Sequence, residues 1–385
     1  MAGPLRGIRV VELQGRGPGP FGAMILADLG AEVVRVGRLE DVDPGEETDA
    51  ERMLRGHRKL DLLTRGRRAV AIDLKHPDGL DAARRLIDRA DVVIEGFRPG
   101  VAERLGVGPD VCLDRNPRLI YARITGWGRD GPYASMPGHD INYVALAGAL
   151  DALRPRPGEP PHPPLNLLGD FAGGGMLLVI GVLGALVERA GSGRGQVVDT
   201  AMVDGVALLT TIFHGLRAEG LWSDVPATNV LDLGTPGYNV YETADGKYVS
   251  VGGGEPQFYA ELLRRLDLAD DPLFLDRDDP STWAEARHRL GVLFKSKTRD
   301  EWCATFEGTD VCFAPVLSFD EAPAHPHNSA RKTFVEVDGV VQPAAAPRFG
   351  RTPAAVPGPP TTAGQHTNEV LLDWGFTTAE VDALQ

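Results

Sequence analysis

The first half of the chain repeats one order of apolar positions. Ile8–Leu13 is a short β-branched run, Gly15–Pro20 breaks it, Phe21–Leu29 carries apolar residues at helical spacing, and Glu32–Val36 is a second β-branched run. The order recurs with a helix over Gly79–Ala90 before a strand at Asp91–Glu95, then a short helical stretch before a strand at Leu119–Ile124. Alternation of this kind predicts an α/β fold with a parallel, doubly wound sheet.

Beyond residue 150 the pattern changes. Arg154–Pro164 is proline-rich and reads as a surface excursion. Asp170 stands where a helix N-cap is expected, opening a helix that runs to about Arg189. Its apolar stretch, Phe171–Val187, is shorter than the roughly 20 residues a bilayer span needs and reads as a buried helix. A strand at Gln196–Asp199 precedes a helix over Ala201–Ala218. A hairpin over Val240–Val251 turns at Asp245-Gly246. Helices near Gln257–Leu266, Trp283–Phe294 and Arg299–Glu307 complete a smaller α+β unit. Pro343–Pro360 is a Pro/Ala tether, and Asn368–Gln385 closes with an amphipathic helix.

Composition narrows the function classes. The 385 residues carry a net charge of −14, which argues against nucleic acid or an anionic membrane as partner. An anionic ligand then needs a local basic cluster, and Arg52, Arg55, Arg58, Lys59, Arg65, Arg67, Arg68 and Lys75 supply one. A solvated charged loop explains that run equally well. Cys112, Cys303 and Cys312 are widely spaced and form no CxxC pattern, so neither a metal site nor a disulfide framework is expected. The start has no basic-plus-apolar signal segment and the end no Ser-Lys-Leu address, so a cytoplasmic protein is expected.

Two short segments carry the candidate chemistry. His139, in Gly138–Tyr143, precedes a helix predicted over Ile141–Leu150, whose first-turn N–H groups can stabilise developing negative charge. Imidazole, with an unperturbed pKa near ~6.5, serves as acid or base at neutral pH. A lone histidine is nonetheless more often structural, and Asp170 can be merely a helix cap. The glycines after Asp170 weaken a helix and expose its backbone, which suggests close approach of a ligand or another chain. An imidazole and a carboxylate facing one pocket can take a proton from one face of a carbon and return it on the other. That points to isomerisation at an acidic C–H. The Gly15–Gly19 turn resembles a dinucleotide fingerprint, but prolines at 18 and 20 break its spacing, so NAD is not expected. No Gly-x-Ser-x-Gly elbow suggests a hydrolase.

The residues also resemble a known family along nearly the whole chain. The matching stretches include Val10–Leu13 with Gly17–Pro20, Ala27–Ala31, Asp73–Lys75, Glu95–Gly100 and Leu119–Arg123. They continue with Gly138–Tyr143, Pro164–Gly175, Glu255–Tyr259 and Pro315–Leu317. Together these resemble the α-methylacyl-CoA racemase family, within the family III CoA-transferase superfamily; the resemblance makes GHDINY a racemase signature.

The resemblance implies a Rossmann-like large domain (1–200 and 336–385), linkers (201–239 and 319–335) and a small domain (240–318). Two chains would interlock as a homodimer, with the site between the large domain of one and the small domain of the other. The substrate would be an acyl-CoA thioester, with CoA part of the substrate and no separate cofactor. Arg38, the segment Ile72, Asp73, Leu74 and Lys75, the segment Gly96, Phe97 and Arg98, and Arg104 would bind CoA. Gly138, Ile141, Asn142 and Tyr143 would line the thioester. His139 and Asp170 would be the two bases, the Asp140 N–H would hold the enolate, and Glu255 would orient the His139 ring. The rival readings are a CoA-transferase that uses Asp170 as nucleophile, and a non-catalytic acyl-CoA sensor.

Departures from the family pattern concern the acyl pocket. Val230, Leu233, Thr235 and Gly237 depart from the usual residues in Asn229–Tyr238, and Gly253-Gly254 replaces a bulkier pair before Glu255. The chain has only six methionines, against the methionine-rich acyl surface usual in the family. A reshaped acyl pocket is expected. The longer segment around 40–63 is expected to alter access to the adenine end.

Overall fold

The computed structural model describes residues 3–42, 48–49, 51–52 and 60–384. Much of the 40–63 segment, with Arg55, Arg58 and Lys59 of the basic run, lies outside the described residues. The chain divides into two compact units, the first comprising Met1–Ala147, Pro164–Leu209 and Lys332–Gln385, and the second Gly148–Pro163 and Thr210–Arg331.

Six parallel strands build the first unit: β1 (Arg9–Leu13), β2 (Glu32–Gly37), β3 (Arg68–Ala71), β4 (Val92–Glu95), β5 (Ile120–Thr125) and β6 (Val197–Ala201). Their order is β3-β2-β1-β4-β5-β6, the doubly wound order with its switch between β1 and β4. Successive side chains of a strand point to opposite faces, so each strand feeds two cores. Val11, Val34, Val93 and Tyr121 pack with Leu86 and Ile87 of the helix Pro77–Asp88 and with Trp374. Val10, Val33, Val92 and Ile120 pack with Leu26 of the helix Pro18–Asp28 and with Leu178 and Val182. Runs buried on both faces explain why these strands read as continuous apolar stretches.

The C-terminal part of the chain seals the β3 edge. His366 Nδ1 accepts the Ala69 N–H, and Thr367 Oγ1 accepts the Ala71 N–H. Covering an edge strand in this way removes a template for unwanted pairing. It also ties the two ends of the chain into one unit. The closing helix is two short helices, Thr367–Asp373 and Thr378–Ala383, broken at Gly375 with its φ of 84°.

Part of the basic run in the described residues is internal. Buried Arg65 pairs with Asp28 at 2.5 Å, and buried Arg67 pairs with Glu12. Arg68 bonds Glu32, Glu369 and Asp373. Arg52 faces Asp49 at 3.5 Å. Arg65, Arg67 and Arg68 are tied into the fold, so the run is neither a ligand cluster as a whole nor a wholly solvated loop; of its described members Lys75 lines a cavity.

Two further helices differ from expectation. Asp170 is not an N-cap: Asn166 takes that place, and Asp170 is the fourth residue of a π-helix, Leu167–Met176, which continues as the α-helix Leu177–Ser192. By length and composition this segment could cross a membrane. It is not wholly buried: Leu178, Val182 and Arg189 face the sheet, while Ile180 and Val187 are exposed. Arg189 donates to the Arg118 carbonyl and to Asp91. The helix expected over Ala201–Ala218 breaks at Thr210 into Met202–Leu209 and Thr211–Ala218. Glycines of the π segment meet the first of these at backbone contact, since a Cβ on Gly205 would lie 2.0 Å from the Gly173 oxygen.

The second unit is α+β. Strands β7 (Tyr238–Glu242), β8 (Tyr248–Gly252) and β9 (Phe313–Val316) form an antiparallel sheet. Its core gathers Tyr241, Val249, Leu290, Phe294, Trp302 and Phe306, with Tyr241 stacked on Phe294 at 4.8 Å between centroids.

Candidate active site

Doubly wound sheets bind ligands beyond the carboxyl ends of their strands, at the switch point. In the first unit two cavities occupy that region. One, of about 440 Å³, is lined by Gln14, Val36–Leu39, Ile72–Lys75, Phe97, Val101 and Leu105. The other, of about 300 Å³, brings together Arg16–Pro18, Gly96–Pro99, Ile124–Trp127, Met136–His139, Tyr143, Asp170 and Met202. Phe97 lines both.

The residues read as CoA-binding therefore divide. Arg38 and Ile72, Asp73, Leu74 and Lys75 line the larger cavity, while Gly96 and Arg98 line the smaller. Arg104 is exposed on the helix Val101–Arg104 and lines neither. The shared loop is held from below: buried Glu95 accepts the Phe97 N–H at 2.8 Å, and Arg123 Nε donates to Glu95 at 2.7 Å. Burial pushes the Glu95 carboxyl up, against the Phe97 and Arg123 bonds that pull it down.

His139 and Asp170 line the smaller cavity together. His139 is the N-cap of the helix Asp140–Leu146, and Asn142 Oδ1 accepts its N–H at 3.0 Å. The helix places the Asp140 N–H at its first position, where no partner exists within the helix. Asp140 is buried and its Oδ2 accepts the Asp170 N–H at 2.7 Å. Asp170 itself is half-buried. Burial pushes its carboxyl above the usual carboxylate range; a hydrogen bond from Asn166 Nδ2 opposes this, the Asp140 charge adds to it, and His139 opposes it. Tyr143 is pushed up to about 12, by burial first and then by Asp170. Its ring stands edge-on to Trp127 at 4.7 Å, and Gly126 makes the space, since a Cβ there would fall 2.1 Å from the ring. Ile141 and Asn142 are exposed and outside the cavity lining. Glu255 belongs to the second unit, exposed at the N-cap of the helix Pro256–Arg265.

Sequence reading missed Arg16, Trp127, Met136 and Met202. The Gly15–Gly19 turn is set aside as a dinucleotide site, yet Arg16, Gly17 and Pro18 line the cavity, and a Cβ on Gly17 would lie 3.2 Å from Asp170 Oδ2. The rule that ligands gather beyond the carboxyl ends of the strands could have found Arg16 after β1, Trp127 after β5 and Met202 after β6.

A doubly wound α/β unit with an imidazole and a desolvated carboxylate on one cavity defines a proton-transfer or acyl-transfer enzyme class. The chain belongs to CoA-transferase family III, whose family model matches residues 5–367. It is 46% identical over 381 residues to the α-methylacyl-CoA racemase of Mus musculus and 44% identical to that of Homo sapiens. Each alignment covers 98% of this chain and 95% of the relative. Among solved structures, Rv3272 of M. tuberculosis matches with TM-score 0.77 at 30% identity, covering 95% of this chain and 99% of that one. A CAIB/BAIF family protein from Brucella suis matches with TM-score 0.80 at 25% identity, over 97% and 100% of the two chains.

Proposed function

We propose that the protein is a racemase that inverts the α-carbon of 2-methylacyl-CoA thioesters by two-base 1,1-proton transfer. The observation that carries this reading is that His139 and Asp170, from separate elements, line one cavity. A thioester acidifies its α-hydrogen because the resulting anion spreads onto the carbonyl oxygen. His139 removes the proton from one epimer and Asp170 from the other, and each returns a proton on its own face. An aspartate that alternates between base and acid near neutrality benefits from a raised carboxyl, which burial supplies here. The enolate oxygen is held by the Asp140 N–H at the helix start, a kind of donor whose loss costs roughly 3–4 kcal/mol.

CoA lies along the larger cavity with Arg38 and Lys75, and the thioester reaches the smaller one past Phe97. Glu255 orients the imidazole within an interlocked homodimer. The protein works in the cytoplasm and needs no cofactor beyond the CoA of its substrate.

The test is incubation of one epimer of a 2-methylacyl-CoA in deuterated water, with no acceptor acid. Deuterium enters at the α-carbon and the other epimer accumulates; His139→Ala abolishes inversion of both epimers. A His139→Ala enzyme that inverts at the wild-type rate sinks the mechanism. Transfer of CoA to an added acid without α-exchange would instead favour the transferase reading, with Asp170 as nucleophile.

A further inference from the structure

His139 and Asp170 sit on different helices, and one hydrogen bond ties those helices together at the site. The Asp140 carboxylate, one residue after His139, accepts the Asp170 N–H at 2.7 Å. That N–H is the fourth of the helix Leu167–Met176, among the amides that find no acceptor in their own helix. Asp140 thus caps a helix to which it does not belong. It is 5% exposed, and its Oδ1 has no hydrogen-bond partner among the described residues. A buried carboxylate oxygen left without a partner is costly. A plain cap has cheaper forms, because serine or asparagine would hold the same N–H without a charge. Gly169 guards the arrangement: a Cβ there would stand 2.7 Å from Asp140 Oδ2.

We propose that Asp140 is a positioning residue through its side chain: its buried carboxylate sets the placement of the two bases by tying the Asp170 peptide to the turn that carries His139. The inference rests on the two-base reading and is separate from the enolate contact of the Asp140 N–H. The same carboxylate puts negative charge beside Asp170 and Tyr143, which favours a proton on Asp170 in the half-reaction where Asp170 donates. The other groups acting on Asp170 are His139 and Asn166, and Arg16 and Arg98 line the same cavity.

Two variants separate geometry from charge. Asp140→Asn offers an amide oxygen to the Asp170 N–H and drops the charge; Asp140→Ala drops both. Hydrogen–deuterium exchange over residues 167–176 reads the bond without turnover. Exchange at Asp170 is expected to quicken in Asp140→Ala and to stay close to wild type in Asp140→Asn. In single-epimer turnover, Asp140→Ala is expected to lose kcat on the order of 10²-fold, as misplaced reacting groups do, with KM little changed. Gly169→Ala, which crowds Oδ2 with Asp140 in place, should reproduce both effects. An Asp140→Ala protein with wild-type protection and wild-type kcat overturns the proposal. Should that variant fail to fold, unchanged protection and kcat in Gly169→Ala overturn it instead. Lost protection alongside a wild type inert in α-exchange would sink the two-base reading and leave the tie standing.

Discussion

Asp170 is the residue whose environment makes the clearest demand on chemistry. Inversion in either direction requires the His139–Asp170 pair to hold one proton, on the carboxyl when His139 is the base and on the imidazole when Asp170 is. The two directions therefore share one bell-shaped profile whose limbs belong to the pair. Burial raises the Asp170 carboxyl, so the acid limb, where the pair takes a second proton, moves up from the ordinary carboxylate value near ~3.9. Asn166 pulls the other way with its 3.1 Å hydrogen bond to Oδ2. Replacing Asn166 with alanine should move the acid limb of kcat/KM to higher pH for both epimers. A limb that stays put, or moves to lower pH, contradicts the assignment of that limb to Asp170. That His139 and Asp170, which line one cavity, belong to one site was legible in the sequence through their glycine-flanked segments. The cap that Asp140 provides was not, because it spans thirty positions and depends on how a π-helix meets an α-helix.

At the scale of elements, most strands and helices of the first unit followed from hydrophobic period with boundaries moved by only a few residues, but β3 at Arg68–Ala71 went unread inside the basic run. In the exceptions, contacts between residues distant in sequence count for more than the local signal. Asp170 looked like a cap because aspartate before glycines is a strong local signal; the π-helix begins earlier, at Leu167, and π segments often occur at functional sites. The basic run misled for a similar reason. Arg65, Arg67 and Arg68 meet their carboxylates far away in sequence, as Arg67 meets Glu12. That pair is buried, and Arg35 lies close enough to disfavour further charge on Arg67. Removing one partner of a buried pair typically costs about 3–5 kcal/mol, because the other charge is left uncompensated. Glu12→Ala should therefore lower the urea midpoint of unfolding by an amount corresponding to that range. A midpoint within error of wild type would mean that Arg67 finds another partner.

At the scale of the whole molecule, several large apolar side chains of the first unit stand exposed. Along the helix Leu177–Ser192 the inward side chains are buried, yet Ile180 and Val187 are 64% and 76% exposed. Met176, just before it, and Leu208 in the helix Met202–Leu209 are also exposed. Exposed apolar side chains, where they join into a patch, can mark an interaction site, and the proposed interlocked homodimer assigns these to a second copy. A charge on such a position separates the alternatives cleanly. On a solvent-facing surface, Ile180→Arg changes stability by no more than about 0.5 kcal/mol. Under a partner chain it buries an unpaired cation and drives the copies apart. Sedimentation should accordingly find wild type at twice the chain mass of 41.3 kDa and the variant shifted toward one chain, with α-exchange lost as the protein is diluted. A variant that sediments as wild type, with turnover per chain unchanged on dilution, would show that the exposed face of this helix is not where two chains meet.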